Sequence, residues 1–352
     1  MIVSLSDELL NEPRWYSLLD VVAELVQAPQ MRLSFDIGDI AKIGRSGWVA
    51  SGEGGRAGIA QLAAASIKAT SRGTASDATT IHLDGQAAYA GEDLGGQRIA
   101  IHPLSGIAFL TQPFHLIVED QHTDGGFVLW MARLTGRDEV IQAYRSGRFV
   151  FRHAGGKGQI SKSADALSSG VWGRPGQPIS AMKNRAGVML DSDDSYPGQQ
   201  RNLKYVEDSV PHVSFVHLLS GRTIENYVPA KYFRRRLADD GLAGMSEAFF
   251  RLTELQRLHF PIKDGFKPKE KGVAPPSKAE FLADPAKSAE QKHHLASVDP
   301  GDWQRLASGF GERLAAVYTN PAYRCEPKDA VPISANVRAE IDQLLTRLLR
   351  HL

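Results

Sequence analysis

The chain has 352 residues, with 41 Lys+Arg against 40 Asp+Glu, 42% hydrophobic residues and one cysteine; its length suits two or three domains with sizeable cores. A formal charge of +1 excludes a globally basic, histone-like nucleic-acid binder, although a local basic patch can still act on a phosphate backbone. The lone Cys325 excludes a disulfide framework and a cysteine-based zinc cluster.

In chain order, Leu18, Leu19, Val22, Leu25 and Val26 fall at helical spacing and predict an early amphipathic helix. A glycine-rich loop is expected from Gly44 to Gly47 and on through Gly52 to Gly58, then an alanine-rich helix near 59–70. Short alternating runs at 80–83 and 99–110 read as strands. Residues 1–112 are thus expected to form an α+β region whose role the sequence does not assign.

Between 113 and 240 the pattern changes. Runs at 114–118, 148–152, 186–190 and 213–219 read as strands, with helices expected over 125–144 and 197–209. Such alternation implies crossover units and a parallel sheet, and nearly continuous apolar strands imply that both its faces are covered. Residues 241–352 predict a helical region: helices near 245–258 and 303–318, a Pro/Lys-rich loop over 263–300, and a final helix. That last helix carries a stripe of Val337, Ile341, Leu344, Leu345, Leu348 and Leu349, read as core first and as a homodimer surface second. The expected fold class is α/β: a mostly parallel, Rossmann-like central sheet flanked by helices, between an α+β N-terminal region and a helical C-terminal region. No apolar run approaches the ~18 residues of a membrane span, and the first residues lack the basic start and apolar centre of a signal peptide. A soluble, cytoplasmic protein without a membrane partner is expected.

The acids carry the most information. Glu119 and Asp120 follow the first strand of the central region, and Asp191-Ser192-Asp193-Asp194 follows the third. In a parallel α/β sheet the carboxyl ends of the strands share one edge, where ligands bind, so Glu119 and Asp191 should be neighbours in space. Several carboxylates gathered there repel unless a hard cation neutralises them, and oxygen-only ligands favour Mg²⁺ or Mn²⁺ over zinc. Taken alone, Asp191–Asp194 would equally be a polar turn capping the next helix. Asp124 suits either a helix start or a ligand. Gly155-Gly156-Lys157-Gly158 follows the second strand, where backbone N–H groups and an ammonium would face the same edge. It is not a Walker loop, and GxxxxGK[ST] occurs nowhere in the chain. Arg222 and Glu225 follow the fourth strand at the start of an expected helix, as phosphate and metal contacts or as a capping pair.

Between 201 and 236 lie seven Lys+Arg and three acids, and Arg234-Arg235-Arg236 is a candidate clamp for a nucleic-acid backbone or a solvated helix face. Lys263, Lys267, Lys269 and Lys271 read as a solubilising loop. His122 and His153 flank the proposed site, His115 reads as a packed strand residue, and His293-His294 as linker.

These residues together resemble the Toprim domain, the metal-binding fold shared by type IA and II topoisomerases, bacterial primases and OLD-family nucleases. Over about 113–240 the matching elements run in family order: Leu116-Ile-Val-Glu119, Asp124, Gly155-Gly-Lys157 and Met189-Leu-Asp191-Ser-Asp193. The Gly-Gly-Lys step and Arg222-Thr-Ile-Glu225-Asn-Tyr227 resemble the OLD-type branch in particular. Two positions depart from the pattern: Asp120 stands where the family usually has glycine, and Asp124 is displaced by one residue. OLD proteins typically carry an ATPase domain ahead of Toprim, for which residues 1–112 are too short. The resemblance implies a divalent-metal-dependent nuclease that cuts DNA, or RNA, by a two-metal mechanism with Mg²⁺ or Mn²⁺. Glu119, Asp191 and Asp193 would be the principal ligands, and Asp124 and Glu225 would complete the shell. Lys157 would stabilise charge at the scissile phosphate; Asp194 would bind metal directly, through water, or not at all. A separate ATPase or sensor protein, and a role as effector of anti-phage defence, are further implications. The alternatives are a non-catalytic Toprim-like module that binds nucleic acid or a partner, and a primase- or topoisomerase-like enzyme.

Overall fold

A computed structural model describes residues 1–28, 33–52, 79–95, 97–169, 180–268, 273–325 and 334–352. The expected alanine-rich helix near 59–70, most of the glycine-rich loop before it, and Lys269 and Lys271 lie outside the described residues. The chain builds two sheets. The first comprises β1 (Ile2–Leu5), β2 (Ser34–Phe35), β3 (Thr80–Leu83), β4 (Glu92–Gly95) and β5 (Arg98–Ile101), in the order β2-β1-β3-β5-β4. All its pairings are parallel except β4 with β5, so the N-terminal region, expected as α+β, is itself a mostly parallel α/β unit.

The second sheet comprises β6 (Phe114–Val118), β7 (Phe149–His153), β8 (Ala186–Leu190) and β9 (Phe215–Leu218), all parallel, in the order β7-β6-β8-β9. These are the four strands read from the sequence. Ile117 pairs with Val188 and Leu190 with Leu218, which aligns the carboxyl ends of β6, β8 and β9. Alternate residues face opposite sides. Leu116 and Val118 enter the main core with Met189, whereas Ile117 and Val188 enter a smaller core with Ile160, Ala164 and Leu167 of helix Ile160–Ser168. Both faces are covered, as the continuous apolar runs required.

Helix boundaries depart from expectation where caps and glycines intervene. The run over 99–110 is not one strand: β5 ends at Ile101, His102 accepts the N–H of Leu104, and Pro103 opens helix Pro103–Thr111. Proline at the first helical position is favourable because its missing N–H has no intrahelical partner there. Gly44 and Gly47 lie in short helices, Ile37–Arg45 and Gly47–Ser51, capped by Asp36 and Ser46, not in a loop. The segment 125–144 forms two helices, Thr123–Leu134 and Asp138–Arg145. The segment 245–258 is broken at Thr253, whose side chain and that of Gln256 form a capping box that starts a new helix. Helix 303–318 does not exist as a unit: Pro300–Leu306 stops before Gly309 and Gly311, both at positive φ, and a 3₁₀ turn Gly311–Arg313 and the short helix Ala316–Thr319 follow. The Pro/Lys-rich stretch carries helices Lys278–Ala283 and Ala289–Leu295, and Phe281, Leu295 and Val298 are buried in the main core.

That main core runs from Phe114 to Leu348 and unites the second sheet with the C-terminal helices, including the stripe on Ala335–His351. A separate core under the first sheet is completed by Ala181 and Met182, while buried Arg185 donates to the Phe109 and Leu110 carbonyls at the end of helix Pro103–Thr111. Among the described residues, no helix is long and apolar enough to cross a membrane.

Candidate active site

A cleft of about 350 Å³ opens at the carboxyl edge of the second sheet. Glu119, Asp120 and Asp124 enter it from the end of β6 and the helix that follows, Asp191 and Asp193 from the end of β8, and Glu225 from the short 3₁₀ turn after β9. Lys157 enters from the glycine loop after β7. All the acids proposed as ligands, with the proposed lysine, thus line one cavity at the edge that ligands occupy in parallel α/β sheets.

Lys157 is the link between strands. Its ammonium bonds the Asp193 carboxylate and stands 3.7 Å from Glu119. Gly155 and Gly156, at φ +79 and +111, give the backbone conformation that presents it. Asp193 itself has φ +57, a left-handed conformation uncommon outside glycine. It is held by its N–H on the Arg222 carbonyl at 2.9 Å and by the neighbouring Ser192 hydroxyl on the Gly221 carbonyl at 2.9 Å. Asn202 donates to the Asp191 carbonyl and lies 3.3 Å from the Asp193 carboxylate.

The other acids of the two motifs have structural partners. The Asp194 carboxylate accepts the N–H groups of Gln200 and Arg201 and closes the loop 194–201, so the helix expected from 197 begins only at Leu203. Asp120 accepts from His122 N–H and the Thr123 hydroxyl, and the His122 N–H, more than any other influence, holds its carboxyl below the usual range. Asp124 is not the cap expected of it: it lies in the first turn of helix Thr123–Leu134, whose N-cap is His122, and it accepts the N–H of Asp120 before the helix at 2.9 Å while lining the cleft.

Crowding shows in the protonation equilibria. Burial, reinforced by Asp124, Glu225 and Asp193, pushes the Asp191 carboxyl well above the usual carboxylate range despite the opposing Lys157 ammonium. Burial likewise pushes Asp124 up to about 6, with Glu119, Asp120 and Glu225 adding to it and the Asp120 N–H opposing.

The far wall was not legible in the sequence. Pro261 to Asp264, Glu312 and Ala315 close the cleft, and Lys263, expected in a solubilising loop, lies 3.4 Å from the buried Glu225 and 3.1 Å from Glu312. Burial would lower its ammonium, but the two carboxylates outweigh this and raise it. Lys263 is brought there by backbone contact between distant loops: Phe310 N–H donates to the Ile262 carbonyl and Gly311 N–H to that of Lys263. Arg222 also lines the cleft, with its guanidinium on the Ser195 hydroxyl at 2.8 Å. The helix expected to begin at Arg222 is only the 3₁₀ turn Ile224–Tyr227, started by a Thr223–Asn226 capping box.

Arg234, Arg235 and Arg236 are not among the residues lining the cleft. Their helix, Ala230–Asp239, buries Tyr232, Phe233 and Leu237, which sends Arg234 to Glu247 and Arg236 to Asp240, and lays Arg235 over the Tyr323 ring. His122 and His153 are exposed and do not line it either. His294, expected in linker, sits on a helix with its Nε2 buried, edge-on to His259.

The donor chemistry of the cleft suits a hard cation, because every proposed ligand offers carboxylate oxygen. Among the described residues, however, no three Asp, Glu, His or Cys side chains are gathered closely enough to hold an ion, and Lys157 stands between Glu119 and Asp193. Comparison with protein-family models, curated proteins and solved structures found no match.

Proposed function

We propose that this cleft binds divalent cations, Mg²⁺ or Mn²⁺, and that the chain is a Toprim-like, OLD-type nuclease hydrolysing phosphodiester bonds of DNA. One observation carries the reading: carboxylates from three separate strand ends and a helix line one cavity together with Lys157. Among the described residues, eight acids and three cations line it, a formal excess of five negative charges that repels a phosphodiester anion. Two divalent ions would bring that excess to about −1 and, when bound, supply the Lewis acidity that activates a water and stabilises a leaving oxygen. Glu119, Asp191 and Asp193 would hold them, with Asp124 and Glu225 completing the shell. Lys157 and Lys263 are the two ammonium groups within the cleft, and Arg222 is its guanidinium. Each can neutralise a phosphate oxygen as charge develops on it. Asp194 is committed to its loop, which argues against a direct ligand role.

The Arg234–Arg236 stretch does not line the cleft, so any role with nucleic acid would be backbone contact beyond the reacting centre. A separate ATPase or sensor and a role in anti-phage defence belong to the same proposal through the family resemblance. The homodimer has only the stripe of the last helix behind it, and Val337, Ile341, Leu344, Leu345 and Leu348 of that stripe are buried in the chain's own core. A second reading has its own support. Lys157 pairs with Asp193, a carboxylate that the nuclease reading gives to a cation, as expected of a non-catalytic module whose acidic edge holds a partner.

Purified protein incubated with supercoiled plasmid, linear DNA and RNA, with Mg²⁺ or Mn²⁺, separates these readings. The nuclease reading expects cutting that EDTA abolishes and that Glu119→Gln or Asp191→Asn slows by about a hundredfold. Cutting that survives both substitutions removes the cleft from the chemistry, and binding without cutting on any substrate favours the module.

A further inference from the structure

The C-terminal helix Ala335–His351 reads as a packing element, yet it places one carboxylate against the turn beside the cleft. Glu340, nearly buried, accepts the Ser220 N–H at 2.6 Å, the Ser220 hydroxyl, and the Tyr227 hydroxyl at 2.8 Å. Tyr227 in turn accepts the Gly221 N–H at 2.7 Å. Ser220, which Glu340 binds, leads directly into the two residues whose carbonyls hold the acidic loop: Gly221, itself bonded to Tyr227, accepts Ser192, and Arg222 accepts the Asp193 N–H.

We infer that Glu340 is a positioning residue for the 191–194 loop, acting through Ser220, Tyr227 and the 220–222 turn. Asp193 has a left-handed backbone that would relax unless its surroundings over-determined it. Those surroundings include the Gly221 and Arg222 carbonyls; Glu340 holds the Gly221 side of the turn through Ser220 and Tyr227, while the Arg222 N–H is tied to the Leu258 carbonyl. The turn is also tied by the Leu219 N–H to the Leu190 carbonyl of β8, and Glu340 adds the side-chain restraint on Ser220. His217 stands 3.8 Å from Glu340, but burial pushes its imidazole down to about 4, which makes it a weak ionic partner for that carboxylate. Outer contacts of this kind fix the orientation of ligating carboxylates in metal sites.

This rests on the nuclease reading only for its metal arm, and the test separates the two. Full-length protein is compared as wild type, Glu340→Ala, Glu340→Gln and Leu344→Ala, the last removing a fully buried core side chain from the same helix. Hydrogen exchange is read over 190–195 by mass spectrometry, with β1 as a distant reference, and Mn²⁺ affinity by titration. Glu340→Ala should speed exchange of the 190–195 segment about tenfold relative to β1 and weaken Mn²⁺ about tenfold. Glu340→Gln, which keeps an acceptor oxygen, should recover both to within about threefold, whereas Leu344→Ala should loosen its helix without singling out the loop. If Glu340→Ala did not fold, Ser220→Ala would read the same contact with a smaller effect. Equal loosening of the loop by Glu340→Ala and Leu344→Ala would overturn the positioning role. Absence of Mn²⁺ binding by the wild type would overturn the metal reading, and the exchange data would still decide the role of Glu340.

Discussion

Asp124 and Asp191 are held in a condition that folding alone does not favour. The Asp124 carboxyl releases its proton near 6 in the folded chain, whereas a free aspartate does so near 4. Between those values the folded state binds more protons than the unfolded one, so this group makes the protein less stable as pH rises from about 4 to about 6. Asp124→Asn keeps the acceptor for the Asp120 N–H and removes the charge. Urea unfolding should therefore show a gain on the order of 1–3 kcal/mol at pH 7 and little change at about pH 3, below the free aspartate's own titration. An equal effect at both pH values would contradict the assigned cause. If cations enter the cleft they must displace protons, so the rise in melting temperature given by Mn²⁺ should be larger at pH 7.5 than at pH 5.5. Glu119 and Asp191 were legible in the sequence because each follows an apolar strand directly, and strand ends in a parallel sheet share an edge. Lys263, Asp264 and Glu312 were not, because no local pattern reveals that two distant loops meet.

At the scale of elements, that meeting depends on two glycines. Gly265 and Gly309 both have φ +61, and a Cβ on either would stand 2.3 Å from the backbone nitrogen of the other. The approach lets the Phe310 and Gly311 N–H groups donate to the Ile262 and Lys263 carbonyls, and so sets Lys263 beside Glu225. Gly265→Ala or Gly309→Ala should destabilise the fold by more than about 2 kcal/mol in denaturant titrations, because positive φ and a backbone clash act together. A cost under about 0.5 kcal/mol would show that the loops separate freely. Such pairs also explain why strands were easier to read than helices. The four strands of the second sheet are bounded by turns and covered on both faces, whereas the long apolar stretches 245–258 and 303–318 are interrupted by Thr253 and by Gly309 with Gly311. Periodicity continues across such breaks, but the backbone does not.

Across the whole molecule, the C-terminal helices belong to the same core as the second sheet, and the cleft is built from both. Its floor is the edge of β6 and β8 and its far wall is 261–264 with Glu312. The stripe on the last helix is accordingly interior: Leu344→Ala should cost about 2–5 kcal/mol, as a fully buried leucine does, and a change below about 1 kcal/mol would place that stripe at a surface instead. The sequence conveyed this arrangement only in part, since the apolar stripe was evident while its partner, the helix-bearing face of a parallel sheet more than a hundred residues earlier, was not.

The account stands or falls on whether the cleft takes up hard cations. Calorimetric titration of Mn²⁺ into the full chain at pH 7.5, repeated with Asp191→Asn, measures this directly. Saturable binding of about two ions, weakened at least about tenfold in the variant, is the predicted result. No binding by the wild-type chain, or equal affinity in both proteins, would contradict it.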